Sequence, residues 1–425
     1  MKNLLDINYK KFTLDNGLEV TLYKNDSFPT VAVNLWYKVG SANEVPGKTG
    51  FAHLFEHMMF QGSKNIPKEK HFAYIQEVGG TLNGSTSMDR TNYYETLPSD
   101  SLELALWLES DRMGFLLDAL TQEKLDNQKD VVMNERRQNY DNQPYGLAWE
   151  ILFSNLYPEN HPYHWPTIGW MEDIEKFELN DVINFFRTYY SPGNASLVIG
   201  GNFDEQNAEN LVKKYFADIP SNNNIPELKI PSVKLTENKK IIHNDNIQLP
   251  RIYLAWHSCK GYGKDDAVLD ILADILAGSK NSRLQKELVH NKQIAQSISA
   301  FQYSAKQNGS FYIIATAKPK VELSTLKSEI LRIINSILEN GIEEKEFQRA
   351  VNSYKSSFIY SLQNLSTLTN QINNYNCNLG EPNSFIYDIE RYELLKKENV
   401  VNAVENYLTK PFIELNIIPK EPIKK

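Results

Sequence analysis

Alternation of apolar and polar residues dominates the first 40 positions of the chain. Asn16 and Gly17 separate two runs of period two, which predicts a β-hairpin. An apolar run over residues 29–41 predicts the next strand. From about Gly50 to Gln61 the apolar positions follow the helical period, and Gly62 is suited to close that helix.

The middle of the chain continues this mixture of strands and helices. Residues 79–98 are rich in Thr, Ser, Asn and Tyr, which predicts one or two strands with a polar face. Helical patterns follow at Leu102–Leu120, Gln122–Tyr140 and Leu179–Tyr190, and an apolar strand follows at 196–203. Residues 221–238 combine asparagines, prolines and lysines and are the best candidate for a linker.

The order of elements occurs twice. The strand at 29–41 is echoed at Pro250–Tyr262, the helix before Gly62 is echoed before Gly278, and the helix at 120–137 is echoed at Gly341–Ser357. One repeat of about 220 residues therefore explains the length better than two unrelated domains. We predict an α+β fold with two homologous domains, each a mostly antiparallel sheet with helices packed on one face. The predicted boundaries are 1–220, a linker at 221–240, and 241–425.

Composition narrows the class of protein. Hydrophobic residues make up 41% and charged residues 23%, as in ordinary globular proteins. The net charge of −8 argues against nucleic acid as a partner. Two cysteines exclude a disulfide framework, and no apolar run is long enough to span a membrane. Because no signal peptide is visible, we expect a cytoplasmic protein, unless a leader was trimmed from an exported one.

The strongest chemical signal is the pair His53 and His57. Four residues apart on a helix, the two imidazoles share one face and can hold one metal ion, and Glu56 shares that face. Zinc bound by two histidines and one carboxylate keeps a fourth position open for water. A nearby carboxylate that is not a ligand can accept the proton of that water. The pattern H-x-x-E-H therefore predicts a hydrolytic site.

A simpler interpretation of the same pattern is an amphipathic helix whose histidines only form hydrogen bonds in a core. With eight histidines in 425 residues, this arrangement arises by chance in about 1% of such chains. Apolar neighbours on both sides of the polar face favour a buried metal-binding helix; they are Leu54, Phe55, Met58 and Met59.

The third ligand is expected on a second helix. Glu135 follows the apolar residues Val131, Val132 and Met133, which allows its carboxylate to point inward. Asp130 and Glu123 are weaker candidates. Taken alone, Glu135 is more typical of a solvated position on a charged helix, so its assignment depends on the histidine pair.

Three segments together resemble the pitrilysin/insulinase metallopeptidases, in particular the short type related to mitochondrial processing peptidase. They are HLFEHMMFQGS, GGTLNGSTSMDRTNYYETLP and VVMNERRQNYDNQPYG. The resemblance implies one zinc ion per chain, bound by His53, His57 and Glu135, with Glu56 as general base. Manganese is the alternative metal, although two histidines and a carboxylate favour zinc. Gln128 stands where many relatives have a glutamate that supports a histidine ligand. A neutral amide can still form this hydrogen bond, but it influences the histidine and the metal less than a carboxylate does.

The resemblance also implies how peptides bind. GGTLNGSTS is similar to the strand of this family along which an extended substrate pairs through main-chain hydrogen bonds. Asn83 and Gly84 are the candidates for contact with the scissile region. The alternative is an ordinary edge strand without a binding role.

The second copy lacks this chemistry. Aligned through Gly62 and Gly278, it places Leu269, Leu272, Ala273 and Ser357 opposite His53, Glu56, His57 and Glu135. Relatives also carry an Arg and a Tyr in this half that face the metal and hold the substrate carbonyl. Val289 and Gln296 stand at those positions here, and neither supplies comparable stabilisation of an oxyanion. His290 is a conceivable substitute donor.

The function predicted from the sequence is a zinc endopeptidase that cleaves extended or unfolded peptides in a closed chamber. The missing Arg and Tyr favour a heterodimer in which a homologous subunit supplies both, with a homodimer as the alternative. The competing hypothesis is a non-catalytic assembly or scaffold subunit derived from a peptidase. The retained H-x-x-E-H pattern and Glu135 favour the enzyme.

Overall fold

Two compact units make up the protein. The computed structural model describes residues 5–222, 224–228 and 230–420. Of these, residues within Met1–Arg136, Trp165–Lys229 and Ile359–Ile386 form unit 1, and those within Arg137–His164, Ile230–Phe358 and Tyr387–Lys425 form unit 2. Each unit therefore contains segments from both halves of the chain. The predicted boundaries describe the sequence repeat and stay a prediction.

Unit 1 contains a six-stranded sheet with the order β1-β2-β6-β3-β5-β4. Its strands are β1 (Lys10–Thr13), β2 (Glu19–Lys24), β3 (Thr30–Tyr37), β4 (Thr81–Thr86), β5 (Thr91–Pro98) and β6 (Ala195–Gly201). The β2–β6 pair is parallel, and the other pairs are antiparallel. β4 lies at an edge, with β5 as its neighbour in the sheet.

Unit 2 contains a five-stranded sheet with the order β7-β11-β8-β10-β9. Its strands are β7 (Lys239–Asp245), β8 (Arg251–Ser258), β9 (Ala295–Ser304), β10 (Gly309–Ala317) and β11 (Ile413–Pro419). The outer pair β7–β11 is parallel and the remaining pairs are antiparallel. Because this order and these directions repeat β2-β6-β3-β5-β4, the structure contains the internal duplication that the sequence predicted.

Helices fill the intervals between strands. In the described residues they are α1 (Phe51–Met58), α2 (Lys70–Glu77), α3 (Leu102–Phe115), α4 (Gln122–Arg136), α5 (Ala148–Leu156), α6 (Met171–Ile174), α7 (Leu179–Tyr189), α8 (Glu205–Phe216), α9 (Asp266–Ala273), α10 (Leu323–Asn340), α11 (Glu344–Ser361), α12 (Leu365–Leu379), α13 (Phe385–Glu393) and α14 (Lys397–Ala403). Short π-helical turns extend α4, α9 and α14. None of the described helices is long and apolar enough to cross a membrane.

The predicted helices are present but shorter. The helix expected at Gly50–Gln61 is α1, and Gly62, at φ 90°, lies four residues beyond its end. The helix expected at Gln122–Tyr140 ends as an α-helix at Arg136 and continues as a π turn. No helix or strand occupies the described residues between 217 and 238. Helical periodicity in the sequence does not distinguish an α turn from the wider turns that follow it.

The α+β class and the mostly antiparallel sheets are confirmed, but helices cover both faces of the first sheet. β3 and β6 are buried along almost their whole length, which requires cover on both sides. α3 packs on one face, and α12 lies on the other. On that face the Asn373 side chain donates to the main-chain oxygens of Asn34 and Ser196, at 2.9 and 3.1 Å. These bonds satisfy polar groups that would otherwise be buried without partners.

The second sheet receives the equivalent helix from the other half of the chain. α5 precedes the linker in sequence, yet it packs against β8 and β11. Trp149 of α5 meets the rings of Tyr253, Phe301 and Tyr312 at centroid distances of 6.4, 5.9 and 5.0 Å. The two homologous helices α5 and α12 therefore each complete the sheet of the opposite half of the sequence.

Unit 2 also buries a titratable carboxyl group. Asp270 of α9 accepts a hydrogen bond from the Tyr392 hydroxyl at 2.7 Å. Burial raises the pKa of Asp270 to about 7; the hydrogen bond from Tyr392 opposes this rise and nearby Asp266 adds to it. Arg391 forms ion pairs with Asp266 and Asp388 at 2.9 Å each. Among the described residues, Asp270 itself has no ion pair as close as those that Arg391 forms with Asp266 and Asp388.

We expect the stability of the protein to fall between about pH 4 and pH 7 because of Asp270. The folded state holds the proton up to about pH 7, whereas an unfolded aspartate loses it near pH 4. Ionisation of Asp270 in the folded protein then costs on the order of 4 kcal/mol at pH 8. In urea unfolding, the free energy of unfolding of Asp270→Asn is expected to fall less across this pH range than that of the wild type. Glu339→Gln, at an exposed position of α10, is the control. If the free energy of unfolding changed equally with pH in the wild type and in Asp270→Asn, the raised pKa would not belong to Asp270.

Candidate active site

The first turn of α1 is fixed by a buried carboxylate. Glu44 accepts hydrogen bonds from the N–H groups of Gly50, at 2.9 Å, and Ala52, at 2.7 Å. An acceptor at this position satisfies the free N–H groups of the first turn. Burial raises the pKa of Glu44 well above its ordinary value, and the two N–H donors act in the opposite direction. The helix that carries both histidines therefore begins at a defined point.

The same end of α1 is pressed against the loop before α6. Gly50 has φ 84°, and a Cβ atom there would lie 2.3 Å from the Ile168 carbonyl oxygen. Gly169 faces it, and a Cβ at Gly169 would lie 2.3 Å from the Gly50 nitrogen. Arg136, the last residue of α4, donates to the Gly169 oxygen at 2.7 Å. One loop thus positions the start of α1 and the end of α4 together.

This arrangement brings His53, His57 and Glu135 into one group. Glu135 Oε2 lies 3.7 Å from His53 Nε2 and 3.5 Å from His57 Nε2. One ligand atom from each of the three side chains lies within 4.8 Å of the others. All three side chains are partly exposed, at 14%, 24% and 34%, so an ion and a substrate can reach them.

The group fits zinc. Two ligand atoms at about 2.1 Å from a tetrahedral zinc ion are about 3.4 Å apart, close to the 3.5 and 3.7 Å observed. Two imidazoles and a carboxylate are also the donor set of many catalytic zinc sites, and three protein ligands leave one position open. Burial and the neighbouring His57 lower the pKa of His53 to about 4, whereas Glu135 acts to raise it. His53 is therefore neutral near pH 7, as a ligand must be.

Glu56 lies beside this group and is held by β4. Its Oε2 accepts a hydrogen bond of 2.5 Å from the Thr86 hydroxyl. A Cβ atom at Gly84 would lie 3.0 Å from Glu56 Oε1, so the absence of a side chain there leaves room for the carboxylate. Burial raises the pKa of Glu56, with the Thr86 hydrogen bond opposing it. The role of Glu56 as general base stays a prediction, and its position permits it.

The predicted substrate residues lie on the open edge of the sheet. The Gly84 N–H donates to the side-chain oxygen of Asn83 at 2.9 Å. This main-chain donor is thus held by an exposed side chain that can turn away, which would leave it available to a peptide strand. Contact of Asn83 and Gly84 with substrate stays a prediction.

The other candidates near the group have different surroundings. Asp130 and Glu123 are exposed on α4 and do not join the histidines. Gln128 is buried, but its amide donates to Asn127 at 3.0 Å. His53 Nδ1 is buried without a hydrogen-bond partner in the described part of the chain. The supporting role predicted for Gln128 therefore stays a prediction.

The second copy has no comparable group. Leu269, Leu272 and Ala273 are buried in the core of unit 2, and among the described residues the His53 group alone has the composition and spacing of a metal site. Val289 packs against that core, whereas Gln296 and His290 are exposed. Hydrophobic packing has replaced the ligands of the first copy.

Comparisons with known proteins agree with this site. Residues 20–164 match the model of "Insulinase (Peptidase family M16)", and residues 176–354 match "Peptidase M16 inactive domain". The chain is 31% identical over 374 residues, 86% of its length, to the zinc protease PqqE of Helicobacter pylori, of which 83% is covered. The chain belongs to the insulinase family, peptidase family M16. It is a zinc metalloprotease of that family, and its His, His and Glu group is consistent with a catalytic zinc site.

Further relatives share the fold. A probable mitochondrial-processing peptidase subunit beta of Arabidopsis thaliana is 24% identical over 374 residues, covering 85% of this chain and 68% of that protein. A protease structure from Helicobacter pylori superposes with a TM-score of 0.91 at 27% identity, covering 97% of this chain and 100% of that one. The resemblance predicted from the motifs is confirmed.

Thr86 is the site residue that the sequence analysis missed. It lies on a strand 30 residues after Glu56, and no spacing rule connects a helix to a strand at that distance. A signal was nevertheless present, since Thr86 and Gly84 are two residues apart and therefore share a face of β4. On the face of β4 toward α1, Gly84 leaves space for the Glu56 carboxylate and Thr86 donates a hydrogen bond to it.

We expect Glu135→Gln to weaken zinc binding by about two orders of magnitude, because it removes the charged ligand and even the loss of a supporting group costs 10–100-fold. Zinc affinity is measured by competition with a chromogenic chelator. Glu123→Gln, at an exposed position of the same helix, is expected to bind zinc as the wild type does. Wild-type affinity in Glu135→Gln would remove Glu135 from the ligand set.

Thr86→Val is expected to lower kcat for peptide cleavage by about tenfold, since a hydrogen bond to a charged group contributes about 1.5–3 kcal/mol. Thr86→Ser keeps the hydroxyl and is expected to retain most of the activity. Zinc content and KM should stay close to the wild-type values in both variants. A kcat unchanged in Thr86→Val would show that Glu56 is oriented without this hydrogen bond.

Proposed function

We propose that the protein is a zinc-dependent endopeptidase that cleaves extended or unfolded peptides in a closed chamber, as the metal-bearing subunit of a heterodimer. The observation that carries the proposal is the position of Glu56 between the His53, His57 and Glu135 group and the open edge of β4. A peptide pairing with that edge by main-chain hydrogen bonds must be extended. Folded proteins cannot satisfy this requirement without local unfolding.

The residues of the chain have separate tasks in this reaction. β4 aligns the peptide, with Gly84 bringing its backbone next to Glu56. His53, His57 and Glu135 would hold the zinc ion, which supplies Lewis-acid activation of water and of the scissile carbonyl. Glu56 accepts the proton of the attacking water and passes it to the leaving amine. Thr86 keeps the Glu56 carboxylate in one orientation.

The partner follows from what the chain lacks. Val289 and Gln296 replace the Arg and Tyr that in relatives hold the substrate carbonyl. Val289 packs against the core of unit 2 and has no polar group to offer. A homologous subunit that retains the Arg and Tyr would complete the site, and the Arabidopsis thaliana relative is itself named as a subunit. A homodimer would lack both residues in each copy.

Cleavage of internally quenched peptides by the zinc-loaded chain alone tests the proposal. We expect weak activity that Glu56→Gln abolishes while it leaves zinc bound. The double variant Val289→Arg, Gln296→Tyr is expected to raise kcat by about tenfold or more, because it restores donors of the kind that stabilise an oxyanion. Full activity of the unmodified chain would overturn the heterodimer.

His290→Ala serves as the matched control. Loss of activity in that variant would assign the carbonyl contact to His290 and remove the need for a partner. A chain that binds no zinc and cleaves no peptide would instead support the scaffold function.

A further inference from the structure

A cavity of about 520 Å³ opens beside the β4 edge, on the face of the first sheet that α12 covers. Its walls come from β3, β4, β5 and the first turn of α12, together with Phe28 before β3 and Gln363 and Asn364 before α12, all within unit 1. The side chains of His53, His57 and Glu135, which we call the zinc group, do not line this cavity. Its volume is in the range of small-molecule and side-chain binding sites.

The strand register places this cavity next to a peptide bound along β4. Thr81 pairs with Thr96 and Asn83 pairs with Tyr94, so these four side chains share one face of the sheet. Gly84 belongs to the opposite face, because a Cβ there would point at Glu56. Neighbouring residues of an added strand alternate in the same way. One residue would face Glu56, and those one or three positions along would face the cavity.

The lining indicates the chemistry of the occupant. None of the lining residues carries a charge. The rings of Phe28 and Tyr94 and the side chain of Leu365 offer apolar contact, and most of the other lining side chains are uncharged polar groups of Thr, Ser, Asn and Gln. A charged side chain entering the cavity would lose hydration without gaining an ion pair. An aromatic or branched aliphatic side chain would gain by leaving water.

We propose that this cavity is a specificity pocket that binds an uncharged, bulky side chain of the peptide. The occupant belongs to the residue one or three positions from the residue that pairs with Gly84. The proposal rests on the proposed function, since it requires a peptide along β4. It adds a preference that the zinc group itself cannot impose, because that group contacts only the backbone near the scissile bond.

The test uses the full chain with zinc bound and Glu56→Gln to prevent cleavage. Fluorescent peptides of one length carry Phe, Leu, Ala, Glu or Lys at each position in turn, and Kd is measured by anisotropy. At one position we expect Phe or Leu to bind about tenfold more tightly than Glu or Lys, which corresponds to about 1.4 kcal/mol. A benzoylphenylalanine at that position is expected to cross-link to residues 81–83 or 363–366, mapped by mass spectrometry.

Filling the pocket supplies the matched variants. Ser366→Trp, on the first turn of α12 and in the lining, is expected to bring the Phe and Ala peptides to within about twofold of each other. Gln363→Trp narrows the rim from an exposed position and should give the same change without affecting folding. Asn378→Trp, exposed at the other end of α12, should leave the preference intact.

Two negative results have different meanings. Peptides that bind without any side-chain preference, or that cross-link only outside the lining, overturn the pocket and leave the peptidase standing. Peptides that do not bind at all overturn peptide binding along β4, and the pocket with it. A preference retained in both Ser366→Trp and Gln363→Trp likewise excludes the cavity as its source.

Discussion

The zinc group depends on the close approach of Gly50 and Gly169. Any side chain at either glycine would overlap the backbone of the other loop at 2.3 Å, so α1 would have to begin elsewhere. The hydrogen bond from Arg136 to the Gly169 oxygen then ties the end of α4 to the same loop. Because His53 and His57 come from α1 and Glu135 from α4, a shift of either helix would separate ligand atoms that now lie within 4.8 Å of one another. The spacing of the ligand atoms therefore depends on this packing of the backbone.

The two sheets share the order of five strands, but only the first sheet lies beside the group of His53, His57 and Glu135. In the first copy, α1 exposes a polar face toward β4 and β4 keeps an open edge. In the second copy, the equivalent helix α9 turns Leu269 and Leu272 into the core. Two histidines and a glutamate are costly to hold near an apolar core without a metal. Once one copy binds the ion, apolar residues at the other copy stabilise the fold at no loss of chemistry.

The sequence predicted the features that depend on short spacings. The H-x-x-E-H helix, the repeat and the α+β class all follow from periodicities within one element or from an ordered recurrence of elements. The assignment of Glu135 depended on the histidine pair and on the family resemblance. Contacts between distant elements were not predictable in this way. Thr86 reaches Glu56 from another strand. α12 buries asparagines such as Asn373, whose polarity indicates an exposed face until the carbonyl groups of β3 and β6 are known to lie beneath it.

The placement of α5 and α12 has a consequence for how the chain can be divided. A protease that cuts between residues 221 and 238 would produce two fragments, yet each fragment would hold a helix that the other's sheet requires. The first sheet would keep α12 through the bonds of Asn373, and the second would keep α5 through the aromatic contacts of Trp149. A nicked molecule would thus run as two bands under denaturing conditions and as one species in its native state. A gene split at the same point would give two polypeptides that fold only by complementing each other.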